Sequence, residues 1–357
     1  MLSRFLRQTT VAVCALLLPG TALAQQVIEL EAGEAFTHPH SGVVIPAILG
    51  GNPRTAAYVY AEDFLDIGVN FETEGAAQAL SVYIFRNTNG SVPLWFAQAQ
   101  SVVEGRDAYD DPQLVAGPEA FNPPGQLNAS GLRAIYEAGR RSPTRTTGVA
   151  LFAVGDWYVK LRASSATRTP DGLQHWMESV LAELTLPAQE TSPVAPIADC
   201  PEPLRFRGRA RDAQVDPADA VVNRMLSGML SSAAAVQRIE QLPTVWCRDT
   251  EVTLGQVVYR TEASRDSYLF ALGDNGNAVR VAQELRLDGI SPGSDDDQRR
   301  YSVELITAGR SINYVTQDRL PSPQRVIELV EADRVISAAN TWGNDRAIEV
   351  NSGLFSD

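Results

Sequence analysis

A chain of 357 residues with a formal charge of −13 and a single lysine, Lys160, among its 30 basic residues is long enough for two ordinary domains and too acidic to hold a nucleic acid or an anionic lipid surface by charge. It has no G-x-G-x-x-G or G-x-x-x-x-G-K-[ST] element, so the usual nucleotide-binding arguments fall away and no cofactor is expected. The replacement of lysine by arginine fits a GC-rich coding genome and carries no recognition role.

The chain opens on Arg4 and Arg7, then runs through an apolar stretch from Val11 to Leu18, the helix-breaking Pro19-Gly20 and the small-residue site Ala22-Leu23-Ala24. That order is the layout of a cleavable export signal, too short in its apolar part to span a bilayer. Residues 1–24 are expected to be removed at Ala24/Gln25, leaving a mature protein in the periplasm or outside the cell. A lipid anchor on Cys14 is the rival reading, but it needs a small residue where Val13 stands. Loss of Arg4 and Arg7 takes the formal charge from −13 to −15, and no later stretch is apolar enough to cross a membrane. Cys14 leaves with the signal, so Cys200 and Cys247 remain as a pair in an oxidising compartment and are predicted to be bonded. In the chain-entropy account their separation of 47 residues corresponds to about 4 kcal/mol of stabilisation. The pair lacks the C-x-x-C spacing of redox-active or metal-binding cysteines.

Residues 25–190 read as an N-terminal α+β domain. Ala57 to Ala61, Ile67 to Phe71 and Leu80 to Phe85 have the aromatic and β-branched content of strands. Val149 to Val154 and Trp157 to Arg162 form a hairpin about Gly155-Asp156, a turn that demands positive φ at its first position. In its second strand Trp157, Val159 and Leu161 face one way and Tyr158, Lys160 and Arg162 the other, with one side core. Thr169 then caps a helix with Pro170 at its first position, and Leu173, Trp176, Met177, Val180, Leu181 and Leu184 make a single apolar stripe. The strand–helix–hairpin–helix order over residues 57 to 186 resembles the sandwich of the photosystem extrinsic subunits (PsbP/Mog-type). The resemblance implies only a sheet with helices laid on it, and it carries no site residues over.

Five prolines between Pro187 and Pro203 preclude regular helix or central strand, so residues 191–204 are a linker, with the break near residue 195. Residues 205–357 read as a second α+β domain tied to that linker by the disulfide. It opens with Arg205, Arg207, Arg209 and Arg211 at period two, which on a strand would share one face. A long helix from Asp216 to Ile239 follows, then strand-like runs at Gly255 to Arg260, Tyr268 to Leu272 and Ala278 to Leu287, the last two joined by turn residues Asp274-Asn275-Gly276-Asn277. A hairpin at Tyr301 to Thr316, a helix capped by Ser322 with Pro323, and strands at Val335 to Ala339 and Ala347 to Asn351 complete it. The fold class expected is α+β: two domains, each an antiparallel sheet with helices packed on it.

No constellation in the sequence commits to chemistry. Gly289-Ile290-Ser291-Pro292-Gly293 fits the G-x-S-x-G nucleophile elbow, but Pro292 has no N–H for an oxyanion hole, a charged loop follows, and no histidine lies beyond His175. His38 and His40, two apart on an extended segment, are weak metal candidates with Glu34 or a distant carboxylate as a third ligand; the bland reading is a loop. His175 falls on the polar side of its helix. Asp110-Asp111 and Asp295-Asp296-Asp297 lack alternating calcium-ligand geometry. The arginines Arg140, Arg141, Arg145, Arg205, Arg207 and Arg209 are candidate contacts for an anion or a partner's acidic surface, against surface pairing as the plain alternative. Asp107 to Asn128, rich in Pro, Gly and Asp without period, reads as a long loop.

The expectation is an exported, non-enzymatic binding or envelope-associated interaction protein. The alternative is an exported hydrolase with a site built from dispersed residues.

Overall fold

The computed structural model of the chain describes residues 26–351 except 74, 76, 214–244, 254, 285–298, 345 and 346. The export signal, the helix expected from Asp216 to Ile239, the Gly289–Gly293 motif and the Asp295–Asp297 run lie outside the described residues.

The first half of the chain builds β1 (Gln26–Val27), β2 (Phe36–Thr37), β3 (Val44–Ile45), β4 (Ile48–Leu49), β5 (Asn52–Ala61), β6 (Asp66–Glu72), β7 (Gln78–Arg86), α1 (Val92–Glu104), β8 (Gln113–Phe121), β9 (Gly131–Glu137), β10 (Thr146–Val154), β11 (Trp157–Ser165) and α2 (Pro170–Glu183). Nine of these strands form one antiparallel sheet in the order β1-β5-β6-β7-β11-β10-β9-β8, with β4 on β5. The second half supplies β12 (Ala198–Asp199), β13 (Trp246–Thr253), β14 (Gln256–Thr261), β15 (Tyr268–Ala271), β16 (Ala278–Gln283), β17 (Tyr301–Ile306), β18 (Arg310–Gln317), α3 (Pro323–Glu331), β19 (Val335–Asn340) and β20 (Ile348–Val350). These strands follow one another across a second nine-stranded sheet in chain order, each antiparallel to the next except for the parallel β12–β13 pair.

This corrects the expected fold class. With twenty strands and three helices among the described residues, the protein is predominantly β-sheet and not a balanced α+β pair. The shortfall in the sequence reading lies in strands it did not see. The segment Asp107 to Asn128 contains β8, whose pairing with β9 survives two register shifts around Gly117-Pro118; an edge strand tolerates a proline that a central one does not. Conversely, residues 205–211 form no strand. Leu204 and Ala210 are buried there while the arginines are exposed, and Gly208 at φ +70° breaks the two-residue period.

Among the described residues three cores hold the two lobes. Leu173, Trp176, Met177, Val180 and Leu181 of α2 pack on the first sheet with Trp157, Val159 and Leu161, and Thr169 Oγ1 caps that helix by accepting from Gly172 N at 3.2 Å. The hairpin residue Gly155 takes φ +56° as the turn demands. The opposite face of the same sheet is also buried. There Leu94, Trp95, Phe96 and Val103 of α1 meet Leu132, Val149, Leu151 and Tyr158 from the first sheet, and Val257, Tyr259, Leu269 and Ala278 from the second. Helix α1 is thus sandwiched between the sheets, and Gln98 Nε2 donates across to Gly255 O at 2.6 Å. The third core lies under α3, around Phe270, Val281, Val303, Val326 and Leu329.

The Cys200–Cys247 disulfide is formed, with Cα atoms 4.9 Å apart. It staples the end of the proline-rich segment to β13 beside the short parallel pair. No helix among the described residues is long and apolar enough to cross a membrane.

Candidate functional site

Strand register sets up the site. Gly68, Tyr83 and Lys160 stand side by side across β6, β7 and β11, flanked on one side by Asp66, Phe85 and Tyr158 and on the other by Asn70, Ser81 and Arg162. All share the face turned toward the second sheet, because alternation puts every second residue of each strand on one side. Into this face projects the β15–β16 turn, Leu272 to Asn277.

Between them lies a cleft of about 390 Å³ lined by Tyr60, Asp66, Tyr83, Lys160, Arg162 and the turn residues Leu272, Gly273, Asp274, Asn275 and Asn277. Lys160 is 2 % exposed. Its ammonium donates to Asp274 O at 2.7 Å, stands 2.8 Å from Asp274 Oδ2, and lies 4.7 and 5.5 Å from the ring centres of Tyr83 and Phe85. Arg162 Nη2 is 3.7 Å from the same carboxylate, and neither its Nε nor its Nη2 has a hydrogen-bond partner. Asn275 Nδ2 donates to Asp66 Oδ2 at 2.9 Å. Gly68 makes room for the aromatic wall: a Cβ there would stand 2.9 Å from Tyr60 Cε2 and 3.1 Å from Tyr83 Cδ1.

The two carboxyls are driven apart. Burial pushes Asp66 up to about 7, against the lowering pull of the Asn275 hydrogen bond and the Lys160 charge. Burial acts the same way on Asp274, but the charges of Lys160 and Arg162 and the hydrogen bond from Lys160 outweigh it and hold that carboxyl below the usual range. Burial lowers the Lys160 ammonium, with Asp274 opposing. Tyr60 is raised to about 12, by burial first and then by the neighbouring Tyr83, Asp66 and Tyr58.

The histidines expected as weak metal candidates sit elsewhere on the seam. His38 is fully buried; its Nε2 bonds to Phe64 O at 2.9 Å and its Nδ1 faces Ser41 Oγ at 2.8 Å. Burial lowers it to about 4, with the Phe64 carbonyl opposing and His40 adding to the fall, so it is neutral at physiological pH. His40 donates from Nε2 to Asp63 O at 2.8 Å and stacks on Trp157 with ring centres 5.6 Å apart. Trp342 of the second lobe closes over both rings and donates from Nε1 to Asp63 Oδ2. Both imidazoles are engaged in holding a turn, and no group of three or more His, Cys, Asp or Glu side chains suited to a metal occurs among the described residues. Glu34, the third ligand considered, accepts from Glu31 N.

The candidate arginines stay on the surface, in two separate places outside the cleft. Arg140, Arg141 and Arg145 lie in the β9–β10 connection, exposed, with Arg141 paired to Asp110 at 2.8 Å through Nε. Arg205, Arg207 and Arg209 are exposed beside α3, where Arg209 reaches Glu328 at 3.2 Å. His175 is exposed on α2.

Sequence reasoning passed over Asp66, Tyr60, Tyr83, Arg162 and Asp274 as site residues. One signal was there: Lys160 is the chain's sole lysine and stands on the polar side of an amphipathic strand. The turn Asp274–Asn277 was legible as a turn, but its reach into the other lobe was not.

No protein-family model matches this chain, and neither a curated protein nor a solved structure shows significant similarity to it. The resemblance of residues 57 to 186 to the photosystem extrinsic subunits finds no support in these comparisons.

Proposed function

We propose that this is an exported, non-enzymatic binding protein of the periplasm or extracellular space, and that the cleft between its lobes holds a small polar ligand. The observation that carries the reading is Arg162: a mostly buried guanidinium lining an interlobe cleft, with two nitrogens, Nε and Nη2, left without hydrogen-bond partners. Buried donors without acceptors are costly, and a ligand that supplies the acceptors recovers that cost. Clefts at the junction of two lobes, with a few convergent polar groups, are the common place for small-molecule sites. Among the described residues no Ser, Cys, Thr or His lines this cleft, and its hydroxyls are those of Tyr60 and Tyr83. The disulfide fits an oxidising compartment. Native mass spectrometry of the protein incubated with small-molecule extract from its producing cells tests the reading. A retained adduct is expected on the wild type and lost in Asn277→Trp, which fills the cleft from its rim. An adduct equal in both proteins places the site elsewhere.

A second reading has its own support. Asp66, raised, and Asp274, held ionised, face one cleft as an acid and a carboxylate do in glycoside hydrolysis. The exported hydrolase predicts turnover of chromogenic glycosides that is abolished in both Asp66→Asn and Asp274→Asn. A binding protein turns over none.

A further inference from the structure

We infer that the cleft's ligand is a small monocarboxylate with a flat, unsaturated or aromatic body, its carboxylate held by Arg162 and its body laid against Tyr60 and Tyr83. This rests on the reading of the cleft as a ligand site and names the class of ligand.

Charge comes first. Lys160 is spent on Asp274, meeting both its carbonyl and its carboxylate. Asp66 is bound to Asn275 and is mostly protonated below about pH 7. What remains is the Arg162 charge, whose nearest carboxylate oxygen is 3.7 Å away, outside hydrogen-bond reach. One unspent positive charge is balanced by a monoanion. A phosphate dianion would overshoot it and face Asp274 at close quarters. A carboxylate also matches the planar guanidinium with two parallel acceptors, which a single hydroxyl or amide oxygen does not.

Shape comes second. The Tyr60 and Tyr83 rings converge over Gly68, where any side chain would push them aside. They give the cleft an aromatic wall beside the cationic corner, since Tyr83 is the cross-strand neighbour of Lys160 and lies one residue pair from Arg162. Tyrosine faces favour offset stacking with flat π-systems. The cleft volume of about 390 Å³ suits a ligand of one or two rings.

Calorimetric titration and thermal-shift measurements with benzoate, benzamide and inorganic phosphate test this on the intact protein. Benzoate is expected to bind saturably, with benzamide and phosphate weaker by about tenfold or more, the worth of one charge-assisted hydrogen bond. Arg162→Gln should weaken benzoate by a similar factor without restoration by Arg162→Lys, and Tyr60→Leu should weaken it too. Comparing benzoate with benzamide on the wild type needs no variant to fold. Equal binding of the two, preference for phosphate, or no binding of benzoate at millimolar concentration overturns the carboxylate assignment and leaves the cleft reading standing. Benzoate binding that survives Asn277→Trp overturns the cleft reading itself.

Discussion

Asp66 and His38 take up and release protons in opposite senses when the chain folds. For Asp66 the folded value of about 7 lies above the ordinary 3.8, so the folded state holds a proton that the unfolded state has lost. Its contribution is full below the unfolded value and is lost as pH rises through about 7. For His38 the folded value of about 4 lies below 6.5, so the unfolded state binds the extra proton and stability grows as pH rises from about 4 to 6.5. The two slopes oppose each other in the wild type, and Asp66→Asn removes one. The melting temperature of Asp66→Asn relative to wild type should therefore rise from pH 5 to pH 8, followed by thermal melts in matched buffers; a flat difference would mean that Asp66 is ionised in the folded protein. At Lys160 the decisive term is the carboxylate it neutralises. Lys160→Met strips Asp274 of its closest cation and should cost about 3 kcal/mol in urea unfolding. Lys160→Met with Asp274→Asn should cost less than the single change, because the stranded charge is gone.

Among the elements, those whose signals are local were readable and those whose environment is remote were not. Helices α2 and α3 announce themselves through Thr169 and Ser322, each of which accepts from the backbone N–H three residues on. Helix α1 has no such signal: Ser91 makes no side-chain cap bond. Its buried residues Leu94, Trp95, Phe96, Gln98, Ala99 and Ser101 run around the cylinder, as they must in a helix covered from two sides, and leave no stripe. The same holds for β11. Alternation separated its two faces, but nothing within the strand tells that Tyr158 and Lys160 are covered by residues a hundred positions away. The importance of α1 is testable at its centre. Trp95 is fully buried and donates from Nε1 to Asn89 O at 2.8 Å, so Trp95→Ala should cost about 3–5 kcal/mol, measured by chemical denaturation.

For the whole molecule, the sequence shows five prolines between Pro187 and Pro203 but not the union of the segments on either side of them. The middle core draws on both sheets. Arg86 donates to Ala308 O at 2.9 Å, Asn89 to Gly276 O at 2.9 Å, and the Lys160–Asp274 contact closes the same seam. Lobes that share a core unfold together. Scanning calorimetry should show one transition with equal calorimetric and van't Hoff enthalpies, and residues 25–190 expressed alone should bind hydrophobic dye through the bared face of α1. Two resolved transitions would make the lobes independent.

The burial of the only lysine also makes the protein its own reporter. Acylating reagents that label amines will find no lysine on the native surface, because the single side-chain ammonium they could modify is enclosed between the sheets. Acylation of Lys160 then proceeds only as fast as its ammonium is bared, by release from Asp274 or by parting of the lobes. Its rate, read from the mass of one arginine-bounded peptide, is a clock for opening of the seam, and a ligand that binds in the cleft should slow it.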